Sequence, residues 1–365
     1  MARRPFVLLV PVALPVLVFF GQWHGDYDAR TGMLLGLAAL VLADLTHRFV
    51  ENPIRFSTYL RPRAWLSLGM GAVLMTLSIG AAGALRLNDA EHLETRLTVD
   101  FRPLPSAAYD DISELYAGEC QLTYGRVSQP ECIFGDPAAS RRIVLMGDSH
   151  ATNIFAALDL AARDLGYALD ARVKSRCTMA SVLQWVEDYS EPFATCSTWR
   201  EATLQDLQAD PPAAVVLVTS ANPPPTVYDE RTRRPLDAAA SLRAWSAGYR
   251  ETLTRLAATG TRVIVVRDNP KVPANIPDCV AANMTDPAAC DFERATALPE
   301  PAADLSVATR VRGVEALDYT DAICSEDACF AVTNGILAWQ KGSHYTETFS
   351  RSLAARITAD LRRLL

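Results

Sequence analysis

Residues 143–150 constrain the fold more than any other stretch. The run Ile143-Val144-Leu145-Met146 has the length of a buried strand and is too short for a helix, and it leads straight into Gly147-Asp148-Ser149-His150. Residues 151–165 follow with Ile154, Leu158, Ala161 and Leu165 on one helical face. Strand, tight turn and helix in succession make the opening of a βα unit. The alternation continues with apolar runs at 213–218 and 262–266, a weaker one at 314–317, and a helical stretch over 242–258 closed by Gly260. Residues 346–365 read as one long amphipathic helix with Phe349, Leu353, Ile357 and Leu361 in line. Such alternation predicts an α/β domain with a parallel sheet covered on both faces, whose site lies at the carboxyl ends of the strands. Residues 86–140, with Pro103, Pro105, Pro130, Pro137 and mixed charge, read as a linker and extension.

The eight cysteines, Cys120, Cys132, Cys177, Cys196, Cys279, Cys290, Cys324 and Cys329, all lie in the polar part of the chain. An even count confined to one domain predicts disulfides and an oxidising compartment. Pairing of neighbours is the simplest scheme, though spacing alone leaves connectivity open. No Cys-x-x-Cys pair is present, so no metal is expected. A net charge of −7 gives no basic face for nucleic acid.

The part before residue 86 is mostly apolar. Three stretches are read as membrane spans: residues 6–21, a weaker one from Gly32 to about Leu45, and residues 65–85, which carry no charge. Pro11 and Pro15 in the first are tolerated in lipid. Arg3 and Arg4 precede the first span, and Arg48, Arg55, Arg61 and Arg63 lie between the second and third. Positive-inside counting then puts everything after residue 86 outside the cytoplasm, in an inner or plasma membrane protein. No small-x-small cleavage site follows the first stretch, so it is expected to be retained.

Ser149 falls at the carboxyl end of a strand and the start of a helix, where backbone N–H groups and the helix dipole favour a developing oxyanion. A serine so placed becomes a nucleophile when a base reaches it. His344, in Lys341-Gly342-Ser343-His344, precedes the last helix and is the candidate base; His92 lies in the linker and His150 is tied to the Ser149 turn. Trp199 and Trp339 are read as core or lid aromatics.

Gly-Asp-Ser-His after a first strand, with a histidine before the last helix, resembles the SGNH hydrolase superfamily. The whole chain resembles the C-terminal part of the membrane O-acyltransferases in which an acyltransferase-3 membrane domain is fused to an SGNH domain. Glu51-Asn52-Pro53-Ile54-Arg55 is similar to the close of that membrane domain, and Lys174-Ser175-Arg176-Cys177, Cys196 with Trp199, and Asp318-x-x-Asp321-x-x-Cys324 look like landmarks of the fused domain. The resemblance implies a flavodoxin-like SGNH domain over residues 141–365, a linker or extension over 89–140, and transmembrane helices over 1–88. It implies Ser149 as nucleophile and His344 as general base, with Gly147, Asp148 and Asn222 in or around the oxyanion hole.

Two departures stand out. The aspartate usual three residues before the histidine is replaced by Lys341, so Asp318, Asp321, Glu347 or a backbone carbonyl is left to orient the ring. The membrane part matches just the last two family spans and a connector. The expected function is O-acyl transfer, chiefly acetyl, onto hydroxyls of a cell-envelope glycan, with esterase action or an inactive glycan-binding scaffold as alternatives. No cofactor is expected; an acyl donor such as acetyl-CoA would act upstream, through a separate acyltransferase-3 membrane protein.

Overall fold

The computed structural model describes residues 29–60, 62–63, 65–66, 68–81, 83 and 99–365. The chain divides into two compact units, Met1–Leu93 and Glu94–Leu365. The first predicted span, residues 6–21, its flanking Arg3 and Arg4, and the segment containing His92 lie outside the described residues.

In the first unit a helical run over Arg30–Arg55, 26 residues, is long and apolar enough to cross a membrane, and a shorter apolar helix covers Leu68–Ala81. The helix through the second apolar stretch therefore continues well past Leu45. Arg48 pairs with Asp44 at 2.8 Å, His47 with Glu51 at 2.8 Å and Arg55 with Glu51 at 3.2 Å. These partners four residues apart let the charged segment stay helical.

The second unit is built on a central sheet. Its strands are β1 (Gln121–Leu122), β2 (Ile133–Gly135), β3 (Arg142–Gly147), β4 (Ala168–Lys174), β5 (Ala214–Val218), β6 (Arg262–Val266) and β7 (Val314–Leu317). The order is β1-β4-β3-β5-β6-β7, all parallel, with β2 antiparallel on β4. Counted from β3, the five-strand path runs 2-1-3-4-5, the flavodoxin-like order. β1 and β2 share the outer edge of β4, so the segment read as an irregular extension completes the sheet. Strands of two or three residues are too short to leave a periodic signal.

β3 alternates between two cores. Ile143 and Leu145 face one, Val144 and Met146 the other. The first core takes Ile154, Phe155 and Leu158 from α1 (Thr152–Leu165), Phe349 from α4 (Glu347–Ser352), and Ile357 and Leu361 from α5 (Ala354–Leu364). The second takes Trp199 and Leu204 from α2 (Ala194–Ala209), and Trp245, Tyr249 and Leu253 from α3 (Ala238–Ala257). Burial on both faces is why these strands read as unbroken apolar runs. The last helix, expected as one, is two. The Ser352 hydroxyl donates to the Phe349 carbonyl at 2.6 Å, an interaction that competes with the helical ladder, and the chain turns at Leu353.

All four disulfides join neighbours: Cys120–Cys132, Cys177–Cys196, Cys279–Cys290 and Cys324–Cys329.

Candidate active site

β3 is the strand at which the chain order reverses, with β4 on one side and β5 on the other, so the crevice lies at its carboxyl end. Gly147 ends β3 there. A Cβ on it would sit 2.0 Å from the Val218 carbonyl oxygen and 2.7 Å from the Ala151 side chain, so a side chain would force β3 away from β5. Asp148 is buried and ties the two strand tips together. Its Oδ1 accepts from His150 N–H at 2.9 Å, and its Oδ2 accepts from Ser220 N–H at 2.7 Å and from the Thr219 hydroxyl at 3.1 Å. Burial, the dominant influence, raises its pKa. Ser149 then opens a 3₁₀ turn, Ser149–Ala151, that runs into α1. Its N–H lies at the positive end of that helix.

The loop carrying His344 is pinned to the first turn of α1. Asn153 Nδ2 donates to the Ser343 carbonyl at 3.3 Å, and Tyr345 N–H donates to Asn153 Oδ1 at 2.9 Å. Asn269, just beyond β6, donates to the same Ser343 carbonyl at 2.6 Å. His344 is thereby set beside the Ser149 turn, its ring centroid 5.3 Å from that of His150 and at 83° to it. His344 Nδ1–H donates to the Lys341 carbonyl at 3.0 Å, which leaves Nε2 as the basic nitrogen. That Nε2 is enclosed and has no hydrogen-bond partner, so the Ser149 hydroxyl is not bonded to it here. Bonds of this kind are commonly loose until substrate binds. Burial and then the charge on His150 push the His344 pKa down to about 4, which keeps the ring neutral above that pH.

His150 has a partner that the sequence did not disclose. Its Nδ1 lies 2.5 Å from Asp268 Oδ1, across 118 residues of chain. Asp268 is buried, accepts from Ala221 N–H at 2.8 Å through Oδ2 and from Asn269 N–H at 2.9 Å through Oδ1. Burial opposes a charge on His150, yet Asp268 and Asp148 outweigh it and push its pKa up to about 9. The available signal was positional: Asp268 and Asn269 follow β6 at the carboxyl edge, where such sheets place their chemistry.

Ser149 opens onto a cleft of about 470 Å³ shared with Arg176, Gln184, Trp185, Asp188 and Thr226. Trp185 stacks on Tyr228 with ring centroids 5.6 Å apart and planes within 10°. The cleft wall is held from behind. Lys174 is fully buried and donates to the carbonyls of Thr123, Tyr124 and Arg126 at 2.6–2.9 Å, while Arg200 donates to those of Thr178 and Val182. Trp199 and Trp339 are both buried, as core aromatics are.

Other predicted residues lie elsewhere. Asn222 donates to the Ala297 carbonyl at 2.5 Å and borders a different pocket, so its amide is already engaged. Asp318 binds Arg267 at 2.9 Å and Asp321 binds Arg356 at 2.6 Å; each carboxylate is held by an arginine rather than by His344. Glu347 pairs with Arg351. The carbonyl of Lys341 holds the histidine ring instead. Near the cleft, Thr178 N–H donates to Gln184 Oε1 and Met179 N–H to the Thr219 hydroxyl. Among the described residues, no group of three or more His, Cys, Asp or Glu side chains is arranged to hold a metal ion.

The periplasmic domain of a lipopolysaccharide acetyltransferase from Salmonella ser. Paratyphi A is 17% identical, with a TM-score of 0.45 over 62% of this chain and 86% of that one. A putative acylhydrolase from Bacteroides fragilis is 14% identical, with a TM-score of 0.33 over 68% of this chain and 94% of that one. A search of the curated proteins found no match. The family model described as the SGNH domain fused to AT3 domains matches residues 119–359, which hold the whole sheet and both candidate residues, and the chain therefore belongs to that family.

Proposed function

We propose that this domain moves an acyl group, acetyl in the first instance, onto a hydroxyl of a cell-envelope glycan through an ester on Ser149. The observation that carries this reading is the docking of Ser343 and Tyr345 onto Asn153, which sets His344 against the turn of the nucleophile. In the first half-reaction His344 Nε2 takes the Ser149 proton as Oγ attacks the donor carbonyl, then hands it to the leaving group. In the second it takes the proton of the accepting hydroxyl as that oxygen attacks the Ser149 ester, and returns it to Oγ as the bond between Oγ and the acyl carbon breaks. The Lys341 carbonyl does the orienting work that the family assigns to an acid, which chiefly sets tautomer and ring position. The Ser149 N–H meets the oxyanion, and Asp148 fixes the turn that presents it.

The N-terminal apolar helices suit an anchor, and the disulfides suit an extracytoplasmic domain. Acyl groups would arrive from a separate acyltransferase-3 membrane protein, with no cofactor held by this chain. The test is acyl-enzyme trapping. Full-length protein in detergent, mixed with p-nitrophenyl acetate and quenched, is expected to carry one acetyl on the peptide containing Ser149, and sugar acceptors should discharge it. Acetyl on another peptide, or none, would remove the reading. Discharge at one rate with or without any sugar would identify an esterase instead.

The Trp185 ring, backed by Tyr228, offers an apolar face to a sugar at the cleft. Trp185→Ala is expected to raise the acceptor KM about tenfold, the scale of one lost aromatic contact. Initial rates against acceptor concentration check this, and an unchanged KM would move acceptor binding off that ring.

A further inference from the structure

We propose that Asp268 and His150 are a positioning pair: Asp268 holds the His150 ring edge to face against the His344 ring, and His150 adds to burial in holding off a proton from His344 Nε2, which is left free for the Ser149 proton. This rests on the reading of His344 as the base. The geometry is closed on every side. Asp268 is anchored by two backbone N–H groups, so its carboxylate cannot turn away from His150. His150 is held at its own backbone by Asp148 and at its ring by Asp268, and the His344 ring meets it edge to face. The chain thus carries its acid one residue further from the base than a triad does, with an imidazole in between.

The charges facing this pair are few. From the turn after β3 comes Asp148, which accepts from His150 N–H. From the end of β6 come Asp268 and Arg267, and Arg267 is already paired with Asp318 and Glu300. From the helix Ala303–Ala308 comes Asp304, which accepts from Asp268 N–H and whose pKa burial raises to about 6. The loop before α4 contributes Tyr345 and the carbonyl of Lys341, and the cleft side contributes Arg176, Glu187 and Asp188. Two of these carboxylates, Asp268 and Asp148, act on the His150 ring, and that ring is the one in contact with His344.

The sign follows. Only neutral His344 accepts a proton, so turnover is retained above its pKa and lost as pH falls through it. Removing the His150 cation while keeping Asp268 raises that pKa. In His150→Gln the His344 midpoint is expected to rise by about one pH unit, given a unit charge at ring-contact distance. The acid limb of p-nitrophenyl acetate turnover, scaled to its own plateau at high pH, should move with it. Asp268→Asn removes an anion together with the reason for the cation, so its shift should be smaller.

The experiment is ¹⁵N-histidine NMR of full-length protein in detergent from pH 4 to 9, with the pH–rate profile beside it. In the wild type the His150 ring should stay doubly protonated through pH 8. An unmoved His344 midpoint in His150→Gln would overturn the proposal, as would a wild-type His150 titrating near pH 6.5. Should the variants unfold, the wild-type titration decides alone. A protein without esterase turnover but with the expected titrations would refute the catalytic role of Ser149 and leave the pair standing.

Discussion

Ser149→Ala is expected to lower the turnover of p-nitrophenyl acetate by about a thousandfold or more, and His344→Ala by a similar factor. The two act as a unit, because the hydroxyl is a poor nucleophile without a base and the base has no proton to take without the hydroxyl. The double variant should therefore be no slower than either single one. Asp318→Asn and Asp321→Asn serve as controls. Their carboxylates hold Arg267 and Arg356, so each should stay within about threefold of wild type, as expected of groups outside the reacting unit. Lys341→Ala should also stay close, since the bond to His344 comes from its carbonyl. Initial rates at pH 8 settle the pattern. Equal loss in Asp318→Asn would show that an acid orients the base after all, and wild-type rates in Ser149→Ala would dispose of the site.

The second large effect is on stability. The bridges close loops with sequence separations of 12, 19, 11 and 5 residues. A loop of 15 residues contributes about 3 kcal/mol by restricting the unfolded chain, so four short ones amount to something on the order of 10 kcal/mol. That rivals the whole stability of an ordinary domain, roughly 5–15 kcal/mol. Full reduction is therefore expected to lower the melting temperature by about 20 °C or more, or to leave no cooperative transition. Among single bridges, removal of Cys177–Cys196 should cost most. It closes the longest loop, both sulfurs are buried, and it backs the wall of the cleft. Circular-dichroism melts with and without reductant measure this; a coincident pair of curves would show that the core holds the fold alone.

The parts legible in the sequence were those with one strong local signal. β3, β5 and β6 are apolar runs because both faces are buried, and Gly-Asp-Ser-His marks the turn because steric crowding at Gly147 admits nothing larger. β4 went unread because Asp170, Arg172 and Lys174 break its apolar pattern, although all three have partners, Asp170 with Arg172 at 2.9 Å and Lys174 with three carbonyls. α2 mixes polar and apolar residues around its whole surface, and its register is set by packing of Trp199 and Leu204 rather than by periodicity. In the site, Ser149 and His344 stood out by residue type and position. Asp268, Asn153 and Asn269 did not, because each acts through contacts across more than a hundred residues of chain.

The clasp of Asn153 on Ser343 and Tyr345 has a consequence for biosynthesis. It joins the first βα unit to the last loop, 190 residues later. A ribosome would release Ser149 long before His344. The pairing of the two would then form only when the final helices dock, so that a chain cut short, or one stalled with its end undocked, would carry the serine turn without the histidine beside it.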